Sequence, residues 1–171
     1  MYETGKKHKF EVARDVPVQA WIRRDVQATD ILAAILRGAP AGACVRLSTF
    51  SVAEESLRSL WRIRKEFAVG EMRVLIDRKA TLKTHKLANF VNTVFDSALL
   101  SDIHAKVMIV TWPGNAAPPV AVVTSQNLTR GGRFESSVML SDIPQVHQLA
   151  GMFDDIEREN SVPVHEVFHV T

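Results

Sequence analysis

The segment Asp102-Ile-His-Ala-Lys-Val-Met-Ile-Val110 sets an imidazole and an ammonium two residues apart inside a β-type run. Side chains alternate across a strand, so His104 and Lys106 share one face while Ile103, Ala105, Val107 and Ile109 share the other. An edge strand with one wet face produces the same pattern, and on composition alone His-x-Lys is a common coincidence. The residues that follow sharpen the reading. Val120-Ala-Val-Val-Thr124 runs into Ser125, Gln126 and Asn127, and a loop carrying Arg130-Gly-Gly-Arg133 leads to Glu135 at the start of a further strand. Ser125 and Asn127 again alternate onto one face. If these strands are neighbours, one rim of the sheet holds an imidazole, an ammonium, a hydroxyl, a carboxamide and a carboxylate. Such a set can attack a phosphodiester, because it supplies a nucleophile or proton carrier, donors for phosphate oxygens and an acid to orient the imidazole.

The elements that must position these groups follow from periodicity. Val16 to Ile22 reads as a strand and Asp30 to Arg37 as a helix closed by Gly38 and Pro40. Ala43 to Phe50 is a second strand, and Ser51-Val-Ala-Glu54 is a capping box opening a helix with Leu57, Leu60, Trp61 and Phe67 on one side. Met72 to Ile76 is a buried strand ending at Asp77, and Leu87, Phe90, Val91, Val94 and Phe95 mark another helix. Beyond it, Ile103 to Val110, Val120 to Thr124 and Ser136 to Leu140 are three strands separated by loops. A last helix carries the stripe Val146, Leu149, Ala150, Phe153 and Ile156, with Pro144 in its first turn. With no linker or short repeat, the expectation for residues 1 to 171 is one α/β domain whose mixed central sheet is flanked by helices.

Ile103-His-Ala-Lys106, followed by Thr124-Ser-Gln-Asn-Leu-Thr129 and Glu135, resembles the His-x-Lys signature of the phospholipase D superfamily, whose usual form continues into Gly-Ser-x-Asn. Cys44 to Phe50 and Met72 to Asp77 look like the two parallel strands upstream of that signature, so the resemblance spans roughly residues 27 to 157. Two positions depart from it: the frequent Asp five residues after the Lys is Thr111, and the first Gly is Thr124. The resemblance implies a phospholipase D-like domain and a reaction in which one histidine forms a phosphohistidine while a second protonates the leaving oxygen and then activates water. This chain has one such motif. It is therefore expected as a homodimer with two motifs facing across a two-fold axis, against the alternatives of an inactive remnant or half of a larger assembly. His104 is then nucleophile in one subunit and general acid/base in the other, and the two titrate as a pair. Lys106 and Asn127 are expected to hold the nonbridging oxygens, Ser125 to assist or support the loop, and Glu135 to hydrogen-bond the non-attacking nitrogen of His104. No metal or other cofactor is called for, because two lysines meeting across the dimer supply the positive charge.

Other residues were weighed against this set. Arg130 and Arg133, directly after the proposed phosphate loop, are expected to contact substrate. His85 and Lys86, in the basic run from 78 to 86, are candidates for a phosphate backbone, balanced against a solvated loop. His165-Glu-Val-Phe-His169 matches the zinc-protease pattern formally, but it sits in an alternating run expected to be a terminal strand. Asp77 is expected to begin a turn, Trp21, Trp61 and Trp112 to pack, and Cys44 to be an inert core thiol.

At 171 residues, with 46% hydrophobic and 23% charged residues, the composition is that of a globular chain and excludes a disordered or fibrous one. No apolar run approaches the roughly 18 to 20 residues that cross a bilayer, and the polar start with Lys6, Lys7 and Lys9 lacks a signal-peptide core. A single cysteine fits a reducing compartment, so a cytoplasmic protein is expected. The net charge of +2 does not announce a nucleic-acid binder, yet the cations cluster in loops around the proposed site. The expected function is a metal-independent phosphodiesterase, an endonuclease on nucleic acid, with DNA ahead of RNA as partner and no membrane. The alternatives are a phospholipid-directed phosphodiesterase or phosphatidyltransferase, and a catalytically silent nucleic-acid-binding module of the same fold.

Overall fold

Three runs of apolar and β-branched residues form the parallel centre of the sheet, and two helices whose apolar residues recur at helical spacing connect them. The computed structural model describes residues 10–13, 15–80 and 85–168, and Lys6, Lys7, Lys9, His169 and part of the basic run after Arg78 lie outside these. The strands are β1 (Val18–Arg23), β2 (Cys44–Thr49), β3 (Glu71–Asp77), β4 (Ser97–Ser101), β5 (Val107–Thr111), β6 (Val120–Thr124), β7 (Glu135–Leu140) and β8 (Ser161–Pro163). The helices are α1 (Ala28–Leu36), α2 (Glu54–Glu66), α3 (Ala88–Val94), α4 (Ile143–Glu159) and α5 (Val164–Val167). All eight strands join one sheet in the order β1-β7-β6-β5-β2-β3-β4-β8. The β2–β3 and β3–β4 ladders are parallel, and the remaining pairings are antiparallel. This is the expected mixed sheet with helices on it.

Both parallel crossovers step in the same direction, so the right-handed crossover rule sends α2 and α3 to one face. There they join α1 and α5 over Val45, Leu47, Val74, Ile76, Val110 and Val122, with Ile31, Leu32, Leu57 and Leu60 fully buried. Each such side chain contributes about 1.5–3 kcal/mol of transfer free energy. The opposite face carries α4, whose Val146, Ala150 and Phe153 cover Leu75, Ile109 and Ala121. Asp142 caps this helix by accepting from the amide of Gln145, and Pro144 sits in the first turn where no amide donor is lost.

Several elements differ from expectation. β4 is an unforeseen strand, since Ser-Ala-Leu-Leu-Ser has no β-branched residue and its structure comes from pairing with β3. The box expected at Ser51 is absent: α2 begins after Ala53, and Ser51 is buried with its carbonyl accepting the Thr49 hydroxyl. Trp61 is exposed, with Lys65 Nζ 3.7 Å from its ring centroid, while Ile63 takes the core position. Trp112 packs as expected, its indole donating to the carbonyl of Pro40. The expected terminal strand is strand only over Ser161–Pro163, because Val164 and Phe168 bury themselves by turning once as α5. His165 and Glu166 lie in that turn.

Candidate functional site

The strands β1, β2, β3, β4 and β6 end at one rim of the sheet, where β5 and β7 begin. In open α/β sheets this carboxyl-end rim is where loops carry ligands. The candidate site residues from His104 to Glu135 stand at this rim or on its loops, and three local devices hold them.

The first device shortens β5. The strand expected from Ile103 begins at Val107, because the Ser48 side chain of β2 replaces the backbone ladder there. Ser48 Oγ accepts from the amide of Val107 and donates to the carbonyl of Ala105, each at 3.0 Å. Residues 103 to 106 therefore run extended but unpaired toward β2, while Lys106 still accepts the amide of Thr124 at 3.0 Å. Ile103 is buried and His104 exposed as alternation requires, but Ala105 is exposed too, because the segment has left the ladder. The ring of His104 packs on Phe50, with centroids 5.5 Å apart, and Lys106 Nζ donates to the carbonyl of His104 at 2.9 Å.

The second device pins the loop after β6 onto the connection between β2 and α2. Val52 bridges to Leu128, Ala53 donates to the carbonyl of Leu128, and the buried Thr49 hydroxyl accepts the amide of Leu128. This brings Asn127 beside Phe50, whose amide donates to Asn127 Oδ1 at 3.1 Å. A backbone donor on the oxygen fixes the carboxamide orientation and leaves its NH2 as the free donor. Phe50 thus touches both candidates, His104 through its ring and Asn127 through its amide. Gln126, buried, ties the same loop to β1–α1 by donating to the carbonyl of Val26.

The third device joins β6 to β7. Ser125 Oγ donates to the carboxylate of Glu135 and accepts the amide of Ser136. Within the chain the Glu135 carboxylate accepts from Ser125, and neither ring nitrogen of His104 has a hydrogen-bond partner among the described residues. Thr124, at the position where the signature has Gly, bonds the carbonyl of Ser136 and the hydroxyl of Ser137 and accepts the amide of Gln126. Its hydroxyl substitutes local bonding for glycine's freedom. Thr111, at the other departure, lies at the far end of β5, where its hydroxyl accepts from Arg46.

The outlying candidates separate. The arginine loop is braced by Gln27, whose amide group accepts from the backbone N–H of Gly131 and donates to its carbonyl. Arg130 lines a groove of about 400 Å³ with Arg24, Asp25, Gln27 and Glu55, and its 3.9 Å contact with Glu55 is an exposed pair. Such pairs are worth little. Arg133 is exposed. His85 packs edge-on against Phe168 at 5.1 Å, so the structure draws it toward α5, and neither it nor Lys86 is hydrogen-bonded to His104 or Lys106. Asp77 is buried and accepts the amide of Lys79, beginning a turn as expected. The sequence reading missed Phe50, Ser48 and Gln27, whose contacts hold the loops at this rim, because those contacts are made between segments distant in the chain.

The mixed sheet flanked by helices is a phospholipase D-like fold. Solved structures agree. The fold resembles that of Nuc from Salmonella typhimurium, a phospholipase D family member, with a TM-score of 0.60 and 16% identity over 85% of this chain and 97% of that one. It also resembles phosphatidylserine synthase from Haemophilus influenzae, with a TM-score of 0.57 and 8% identity over 91% of this chain and 40% of that one. A third likeness is to TrmBL2, an archaeal chromatin protein described by its mode of DNA binding, with a TM-score of 0.50 and 13% identity over 82% and 52%. No family profile and no curated protein matches the chain by sequence.

Proposed function

We propose that the chain is a metal-independent phosphodiesterase, an endonuclease that hydrolyses nucleic-acid phosphodiesters through a phosphohistidine. The observation that supports this reading is Phe50, whose ring packs on the imidazole of His104 and whose amide donates to the carboxamide oxygen of Asn127, with Lys106 two residues from His104. An unprotonated imidazole nitrogen of His104 attacks phosphorus, and the P–O bond to the leaving nucleotide breaks as that oxygen takes a proton from His104 of the partner subunit. The partner's imidazole then removes a proton from water, the hydroxide attacks phosphorus, and the P–N bond breaks. Lys106, with two ammonium protons beyond the one spent on the carbonyl of His104, and Asn127 hold the nonbridging oxygens as charge builds.

The two-subunit site is supported by an uncovered apolar stripe. Val18 and Ile22 of β1, Val138 of β7 and Val123 of β6 share the face that α4 covers elsewhere, and all four are exposed, Ile22 at 71%. A second copy of the chain fits such a stripe, because it runs to the rim where the two His104 residues must meet. Nucleic acid is preferred over lipid on the loop arginines Arg130 and Arg133 and on the likeness to a DNA-binding chromatin protein. The likeness to a phosphatidylserine synthase keeps phospholipid transfer as the rival reading.

The test is cleavage of plasmid and single-stranded DNA in excess EDTA by the wild type and by His104→Ala. Cleavage that survives EDTA and is lost with His104 supports the proposal. Cleavage by both proteins moves the chemistry elsewhere. Salt-sensitive DNA binding without product supports the silent module, and turnover of anionic phospholipid vesicles alone supports the lipid enzyme.

A further inference from the structure

Phe134 is the most conspicuous exposed aromatic ring of the rim, 69% accessible, directly before Glu135. The β1–β7 register pairs Arg23 with Glu135, which sets Arg24 opposite Phe134, and the Arg24 guanidinium lies 5.7 Å from the ring centroid. Gln27, at the start of α1, ties the loop before Phe134 by bonding both backbone groups of Gly131. Neither Arg24 nor the adjoining Arg133 has an ion pair among the described residues, whereas the neighbouring acids are engaged: Asp25 by Arg23, and Asp30 by the amide of Gln27. An exposed ring in water, braced by one arginine and directly preceded by a second cation that has no ion pair among the described residues, has no use in packing the chain.

We propose that Phe134 is a stacking platform for an unpaired base, with Arg24 and Arg133 on the flanking phosphates, so that the substrate taken is a single-stranded or locally unpaired nucleic acid. This rests on the phosphodiesterase reading and narrows its substrate. Every base offers a π-face, so the platform is tolerant of sequence, but in a duplex both faces of each base are already stacked on neighbours. The platform therefore selects against paired strands. One residue further on, Glu135 meets Ser125 at the start of the loop that presents Asn127, so a base on Phe134 lies at the same rim as the proposed site.

The test uses the full chain with a short single-stranded oligodeoxynucleotide carrying 2-aminopurine, whose fluorescence falls on stacking, and the same oligonucleotide as duplex. Phe134→Ala is expected to weaken single-strand binding about tenfold and to abolish the quenching. Duplex binding stays unchanged, and Phe134→Tyr restores both readouts. Unchanged single-strand affinity, or equal loss on single strand and duplex, overturns the platform while His104-dependent cleavage still stands. Quenching that depends on Phe134 in a chain that never cleaves upholds the platform and sinks the enzyme reading. Sedimentation of Phe134→Ala as a lighter species than the wild type assigns the ring to a protomer interface and overturns the proposal, and a wild type that neither binds nor cuts nucleic acid overturns both.

Discussion

The hydroxyl of Ser125 donates to the carboxylate of Glu135 and accepts the backbone N–H of Ser136, so a serine and a glutamate that alternation places on one rim serve each other and not the imidazole. The pair locks the loop that presents Asn127. The ring of His104 packs on Phe50, and neither of its nitrogens has a hydrogen-bond partner among the described residues.

On this contact Glu135 is expected to act as a positioning residue for the loop. Glu135→Gln and Ser125→Ala are each expected to cost about 1 kcal/mol of stability, the scale of one hydrogen bond, and to raise KM more than they lower kcat. The pH profile of kcat is expected to keep its shape, which a kinetic titration checks; a glutamate acting through His104 moves the limb set by that histidine.

Asn127→Asp separates the two ends of the carboxamide. A carboxylate still accepts from the amide of Phe50, so the loop keeps its place, but it brings no donor and adds a negative charge next to the phosphate. The expected result is an unchanged melting temperature with kcat lower by about 10²–10³, the usual cost of losing one oxyanion donor.

Acid behaviour follows from an ion cluster between β2, β3 and α4. Arg73 meets Asp154 and lies 2.7 Å from Glu157, and Arg46 bonds Asp154 at 2.9 Å. Burial pushes the Glu157 carboxyl above its ordinary value despite Arg73, and one of its oxygens has no hydrogen-bond partner. Desolvation also pushes Asp154 upward, but hydrogen bonds and charge from Arg46 and Arg73 outweigh it and hold the group below its ordinary value. Asp154 thus contributes stability that is present above the ordinary carboxylate range and lost as pH falls. Glu157 has the opposite sign: it favours the folded chain when protonated, and that benefit is lost as pH rises through its raised value. Asp154→Asn is expected to cost about 1–2 kcal/mol at neutral pH, its partial exposure having screened the larger penalty of a buried pair, and the deficit fades in acid. Glu157→Gln is expected to raise the melting temperature at neutral pH, with the gain shrinking as pH falls. Thermal melts from neutral pH into acid check both slopes.

Breaking the apolar stripe tests the shared site. Ile22→Glu changes a side chain that is 71% exposed and leaves the core untouched. Circular dichroism is expected to match the wild type while sedimentation shows a single 19.0 kDa species and EDTA-resistant cleavage disappears. A monomeric variant with full activity removes the second histidine from the reaction.

Much of the scaffold was legible in the residues, for a physical reason that holds element by element. Leu57 and Leu60 repeat at helical spacing, and Cys44–Thr49 and Glu71–Asp77 alternate or run apolar as buried strands must, so local pattern and tertiary burial agree. The pairing His104-x-Lys106 and the run Ser125 to Asn127 were visible because alternation is a property of the strand itself. Ser97–Ser101 was illegible because its strand state comes from the ladder offered by β3 and not from its own residues. The single turn Val164–Val167 was likewise hidden, since burying both Val164 and Phe168 decides it.

At the site the division is sharper. The residue types that can perform phosphoryl chemistry, and which of them share a face within a strand, follow from sequence alone, whereas the order β5–β6–β7 that gathers them at one rim was decided by the sheet. Which of them bond one another was decided by the packing of strands far apart in the chain. Ser48 displaces the ladder of β5, Phe50 stands between His104 and Asn127, and Glu135 meets Ser125, because hydrogen bonds across a sheet answer to register and to the three-dimensional approach of loops, neither of which the order of residues encodes locally.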